Sequence, residues 1–226
     1  EPVRRVEILE NAPSSDTTSL IRYSDTLKRL VACDDDVTIR FLCSTMTDIM
    51  QLRVMELNLI REAAQHNSKD VTRVLLECLT DELRSQAITD HSKYIWGGGS
   101  ALHFAAQHED GIVFSELSSR LSDDQWSRLI KQGYDEEQNI RTDNPCFIAI
   151  KHDSSNVMRY IIDRAKKIGD DLMKEILTSR NRDGLTVYDC DMRKPISLLL
   201  REVTGEYILP KSYHKKSHSF ALIAYD

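Results

Sequence analysis

The sequence predicts an all-α fold, a helical solenoid of four to five tandem repeats. Three observations predict it. A short motif recurs as Ala63-Ala64-Gln65-His66 and Ala105-Ala106-Gln107-His108, 42 residues apart. The apolar positions that follow the first copy, Val71, Val74, Leu75 and Cys78, keep helical spacing. Each copy also opens on Asn, Ser or Thr, residue types that accept hydrogen bonds from the unpaired N–H groups of a helix start.

The register extends in both directions. His152 ends Ala149-Ile150-Lys151-His152, 44 residues after His108, and a further copy begins at Thr186, 42 residues after Asn144. The aligned starts are Asn58, Ser100, Asn144 and Thr186. Upstream, Asp36-Val37-Thr38 with Phe41-Leu42 matches Asp70-Val71-Thr72 with Leu75-Leu76 at an offset of 34. A first repeat therefore begins near residue 26. The expected organisation is a lead or capping segment at 1–25, a repeat domain at 26–203 with starts near 26, 58, 100, 144 and 186, and a C-terminal extension at 204–226.

Each unit reads in one order. A short helix such as Ala101 to His108 comes first, then a polar turn such as Glu109-Asp110-Gly111, then a second apolar helix such as Ile112 to Leu121. A surplus follows, with an acidic, cap-like start and apolar residues after it: Thr47-Asp48-Ile49-Met50, Thr80-Asp81-Glu82-Leu83, Ser122-Asp123-Asp124-Gln125-Trp126 and Gly169-Asp170-Asp171-Leu172-Met173. Ser122 and Gln125 have capping-box spacing. The surplus predicts an extra short helix in every repeat.

Ser100-Ala101-Leu102-His103-Phe104-Ala105-Ala106 resembles the T-P-L-H-x-A opening of an ankyrin repeat. Asn144-Pro145-Cys146-Phe147-Ile148-Ala149 keeps the Pro and the Ala, and Asp183-Gly184-Leu185-Thr186 keeps the glycine lead into the helix. The resemblance spans roughly residues 26 to 203. Periods of 42 to 44 exceed the ankyrin norm by about ten residues. HEAT and armadillo arrays also have repeats of about 40 to 47 residues, but the Ser-x-Leu-His start is closer to ankyrin. Long units of this kind are similar in style to those of ankyrin-containing effectors that intracellular bacteria deliver into host cells.

That resemblance implies a non-catalytic module that binds a partner protein on its concave or loop face, as an effector acting on a host protein. The other reading is a targeting or regulatory segment of an enzyme whose catalytic domain lies beyond residue 226. Tyr94 and Trp96 lead the expected partner-binding residues, since both aromatic types are enriched at interface hot spots. Arg61, Gln65, His103, Gln107 and Lys151 follow, as first-helix positions off the small-residue face. Trp126 is expected to anchor a third helix.

Composition bounds the rest. The formal net charge of −6 opposes nucleic-acid binding; the basic cluster Lys211, His214, Lys215, Lys216 and His218 reads as a solvated linker. No apolar run approaches the roughly 18 residues that cross a membrane. A cytoplasmic monomer without cofactor or metal is expected, located in the host cytoplasm if it is an effector. Cys33, Cys43, Cys78, Cys146 and Cys190 are widely spaced and form no CxxC, which suits free thiols in a reducing compartment. His66, His108 and His152 stand one repeat apart, too far to share a metal ion. Cys43, Cys78 and Cys146 fall at apolar positions, so catalytic thiols are not expected. Gly97-Gly98-Gly99 lacks the Gly-Lys-Ser/Thr continuation of a phosphate loop, and Asp34-Asp35-Asp36 lacks the Gly and Glu of a calcium loop. Ser219 to Tyr225 reads as an apolar strand, a fold-back or the start of a further domain.

Overall fold

The computed structural model describes residues 17–90, 99–131, 143–181, 183–190 and 194–204. They form thirteen α-helices, one 3-10 turn and no strand among the described residues. In chain order the helices are α1 (Thr17–Ala32), α2 (Asp36–Thr45), α3 (Thr47–Glu56), α4 (Leu59–His66), α5 (Lys69–Cys78), α6 (Asp81–Thr89) and α7 (Ala101–Ala105). There follow α8 (Ile112–Ser119), α9 (Asp123–Lys131), α10 (Pro145–Lys151), α11 (Ser155–Ile168), α12 (Asp170–Thr178), the 3-10 turn Val187–Asp189 and α13 (Lys194–Thr204). The all-α expectation holds. The boundary expected at 25/26 lies inside α1, and α7 stops at Ala105, before the expected His108.

The chain divides into two compact units, the first comprising 1–105 and 111–126 and the second 106–110 and 127–226. In the first unit the helices repeat as triplets. First helices α1, α4 and α7 pack side by side, and second helices α2, α5 and α8 do the same. The small residues Ala63, Ala64, Ala101 and Ala105 are fully buried between first helices, where their size permits close approach. In the second unit α11 packs against α10, α12 and α13.

One turn recurs between first and second helices. Asp34, Asn67 and Asp153 all take positive φ, at 54°, 55° and 57°. In each case the next residue's N–H reaches back five residues: Asp35 to the Leu30 carbonyl (3.0 Å), Ser68 to Ala63 (2.9 Å) and Ser154 to Ala149 (2.8 Å). This is the Schellman closure, which satisfies carbonyls that a helix end leaves unpaired. Asn and Asp are the non-glycine residues that tolerate the left-handed conformation best. Gly111 supplies the same positive φ (66°) before α8.

The third helices start where the acidic surpluses begin. Thr80 Oγ1 accepts the Leu83 N–H at 3.4 Å. Ser122 and Gln125 form the reciprocal box, with the Ser122 N–H donating to Gln125 Oε1 at 3.0 Å and the Gln125 N–H to Ser122 Oγ at 3.2 Å. Asp81, Glu82, Asp123, Asp124, Asp170 and Asp171 occupy first turns, where carboxylates favour the positive end of the helix dipole. Arg84 secures α6 to the end of α5: Nε donates to the Leu76 carbonyl at 2.7 Å and a terminal nitrogen to the Leu79 carbonyl at 2.8 Å. Isolated helices of nine or ten residues are marginal in water, so these tertiary bonds and the burial of Trp126, Ile88 and Ile176 hold them in place.

The repeat starts do not all use the expected cap. Asn144 Oδ1 accepts the Phe147 N–H at 3.1 Å, as expected. The Thr186 N–H and hydroxyl both reach Asp189 Oδ2, at 2.9 and 2.8 Å. Asn58 instead takes a left-handed conformation and makes no side-chain cap bond.

The recurring turn makes a clean test. Both Asn67→Ala and Asn67→Gly remove the side chain, but only alanine pays a steric penalty at positive φ. Chemical denaturation should find the alanine variant less stable than the glycine variant by about 1–2 kcal/mol. Equal stability would mean that Asn67 does not hold this conformation.

Candidate partner surface on the first helices

The expected site residues fall into three groups. Tyr94 and Trp96 lie outside the described residues. In the first unit, Arg61 is half-buried and Gln65 exposed on α4. The Arg61 guanidinium lies over the Phe104 ring, 5.5 Å from its centroid. This cation–π contact joins α4 to α7 across successive repeats and is worth about 0.5–1 kcal/mol where partly solvated. In the second unit, Gln107 is half-buried and Lys151 exposed at the end of α10, where a cation suits the negative end of the dipole.

His103 is a correction. It is 1% exposed, so it offers no partner-facing surface in this structure. Its Nδ1 accepts the Ser100 backbone N–H at 3.2 Å and lies 2.8 Å from Ser100 Oγ. A backbone N–H can only donate, so Nδ1 is unprotonated and the neutral ring carries its proton on Nε2. His103 therefore closes the start of α7 from inside. Sequence spacing placed it off the small-residue face, but the i to i+3 bond to Ser100 draws it inward.

Gly99 belongs to the same cluster. A Cβ built there would stand 2.9 Å from His103 Cβ and 3.6 Å from Phe104 Cε2. The residue is constrained by space.

The periodic histidines have different surroundings. His66 Nε2 lies 3.4 Å from Glu62 Oε1 on its own helix. His152 has its pKa lowered by partial desolvation, with smaller contributions from the charges of Lys151 and His108. Among the described residues no group of three or more His, Cys, Asp or Glu side chains could hold a metal ion.

Cys146 is fully buried on α10, its Sγ 3.6 Å from Met158 Sδ. Burial, with a smaller contribution from Cys190, pushes its thiol up to about 12. Trp126 is fully buried, in keeping with an anchoring role.

Two features stand apart from the expected site residues. Phe104 was visible only as a motif position, and its role as the platform for Arg61 depends on how repeats stack. Val37 and Phe41 on α2, with Ile49 and Leu52 on α3, are exposed large apolar side chains on adjacent helices. Their i, i+4 and i, i+3 spacing was legible, but it resembles that of a buried stripe.

No known family profile, curated protein or solved structure matches the chain. Among the described residues no helix is long and apolar enough to cross a membrane.

Two measurements follow from this geometry. Gly99→Ala should destabilise the protein by about 1–3 kcal/mol through overpacking, seen as a lower midpoint in denaturant; an unchanged midpoint would show that His103 moves aside freely. For Cys146, the unfolded thiol loses its proton near its ordinary pKa while the folded one keeps it. Stability should therefore fall as pH rises from about 9 toward 12, with a limiting slope of about 1.4 kcal/mol per pH unit. Cys146→Ala should abolish that component, and a variant with the same alkaline slope would contradict the assignment.

Proposed function

We propose that this chain is a non-catalytic protein-interaction module of the ankyrin type, holding a partner protein on the exposed side of its first helices. The carrying observation is the Arg61–Phe104 pair between α4 and α7, beside exposed Gln65. Arginine and aromatic side chains are enriched among residues that dominate binding energy. The buried alanines of the same helices hold these groups on rigid elements, so little ordering accompanies binding. Away from the first helices, the exposed Val37, Phe41, Ile49 and Leu52 on α2 and α3 are apolar side chains of the kind that partners cover. The buried Ser100–His103 start of α7 supports the ankyrin reading, because it gives the Ser-x-x-His spacing a structural role.

The test is affinity capture with quantitative mass spectrometry, followed by a measured Kd for the retained protein. Parallel captures from bacterial and eukaryotic lysates separate an effector from an endogenous adaptor. Arg61→Glu combined with Gln65→Ala should weaken binding tenfold or more, about 1.4 kcal/mol, with the far-UV circular dichroism unchanged. Trp96→Ala tests the aromatic residue expected from the sequence to bind the partner. The reading fails if no protein is specifically retained, or if the retained partner binds all variants equally.

A further inference from the structure

We propose that Cys43 and Cys78 form a peroxide-oxidisable dithiol whose disulfide ties α2 to α5. The two helices belong to successive repeats and lie side by side in the first unit. Bonds on and beside this seam hold its register. Asp34 Oδ1 accepts the Val71 N–H at 3.0 Å near the helix starts. Arg40 lies 3.5 Å from Glu77 Oε2 further along. From α3, Gln51 Nε2 donates to the Cys78 carbonyl at 2.8 Å. Within this register the Cys43 and Cys78 thiols are near enough for each to shift the other's pKa, in opposite directions. Disulfide formation needs the two Cβ atoms about 4 Å apart, and pinned neighbouring helices limit the required movement to local adjustment.

Accessibility separates this pair from the other buried thiol. Cys43 and Cys78 are half-buried, whereas Cys146 is fully enclosed. A molecule as small as hydrogen peroxide can reach a half-buried sulfur.

The surroundings also give the pair an order of reaction. The hydrogen bond from Cys43 lowers the Cys78 pKa, with burial opposing it. The same bond raises the Cys43 pKa, reinforced by burial and opposed by the Arg40 charge. The thiolate is the nucleophile, and in the proposed order Cys78 reacts first. Its sulfur takes one oxygen from hydrogen peroxide and becomes sulfenic acid, and the other oxygen leaves as water. The Cys43 sulfur then attacks the Cys78 sulfur, the S–S bond forms and a second water departs. The two thiols are oxidised by two electrons and the peroxide is reduced. A dithiol reductant reverses the change.

The test uses the full chain treated with hydrogen peroxide, alkylated and digested with trypsin without reduction. Cys43 and Cys78 lie alone in the peptides 41–53 and 74–84. The expected product is these two peptides joined, lighter by two hydrogen atoms than their sum and released by dithiothreitol. The oxidised protein should melt about 5 °C or more above the reduced form. In Cys43→Ser, dimedone should trap a sulfenic acid on Cys78; in Cys78→Ser, Cys43 should remain unlabelled. Recovery of both peptides as free thiols under conditions that oxidise exposed Cys33 would overturn the proposal. So would exclusive pairing of either residue with another cysteine. Wild-type peptide mapping decides the pairing even if a serine variant fails to fold.

Discussion

Three left-handed residues, Asp34, Asn67 and Asp153, reverse the chain between a first helix and its second helix. The six-to-one hydrogen bonds at these sites satisfy helix-end carbonyls and start the next helix within about two residues. Much of the surrounding architecture depends on that reversal. A longer or looser connection would not bring second helices such as α2 and α5 into the same orientation repeat after repeat. The recurring turn explains why short helices can persist: each is held by its neighbours and needs little intrinsic stability.

Close contact between first helices imposes a second constraint. Ala63, Ala64, Ala101 and Ala105 bring α4 and α7 together. Gly99 leaves room for His103, and His103 in turn holds Ser100 at the start of α7. The same approach brings Arg61 over Phe104. His103 faces inward and stabilises the helix start, while Arg61 is half-buried and Gln65 exposed.

The extra helices show why some features were legible early. Acidic residues after Thr80, Ser122 and Gly169 carry local information about helix starts, because caps and first-turn charges act over three or four residues. The structure places helices at all of these positions and shows the Ser122–Gln125 box directly. Helix ends were less legible. α7 ends at Ala105, three residues before the motif's His108, and the N-terminal extension of α1 carries no repeat motif to align.

By itself, the sequence determined the helical class and the additional helices that begin at Thr47, Asp81, Asp123 and Asp170. Those features arise from periodicity and local hydrogen-bond chemistry, which adjacent residues encode. Tertiary structure decided that His103 is buried, that Arg61 meets Phe104, and that the helices carrying Cys43 and Cys78 pack side by side. Each outcome depends on the distance and rotation between helices. Those quantities are set by side-chain packing among residues far apart in the chain, so no local spacing rule contains them.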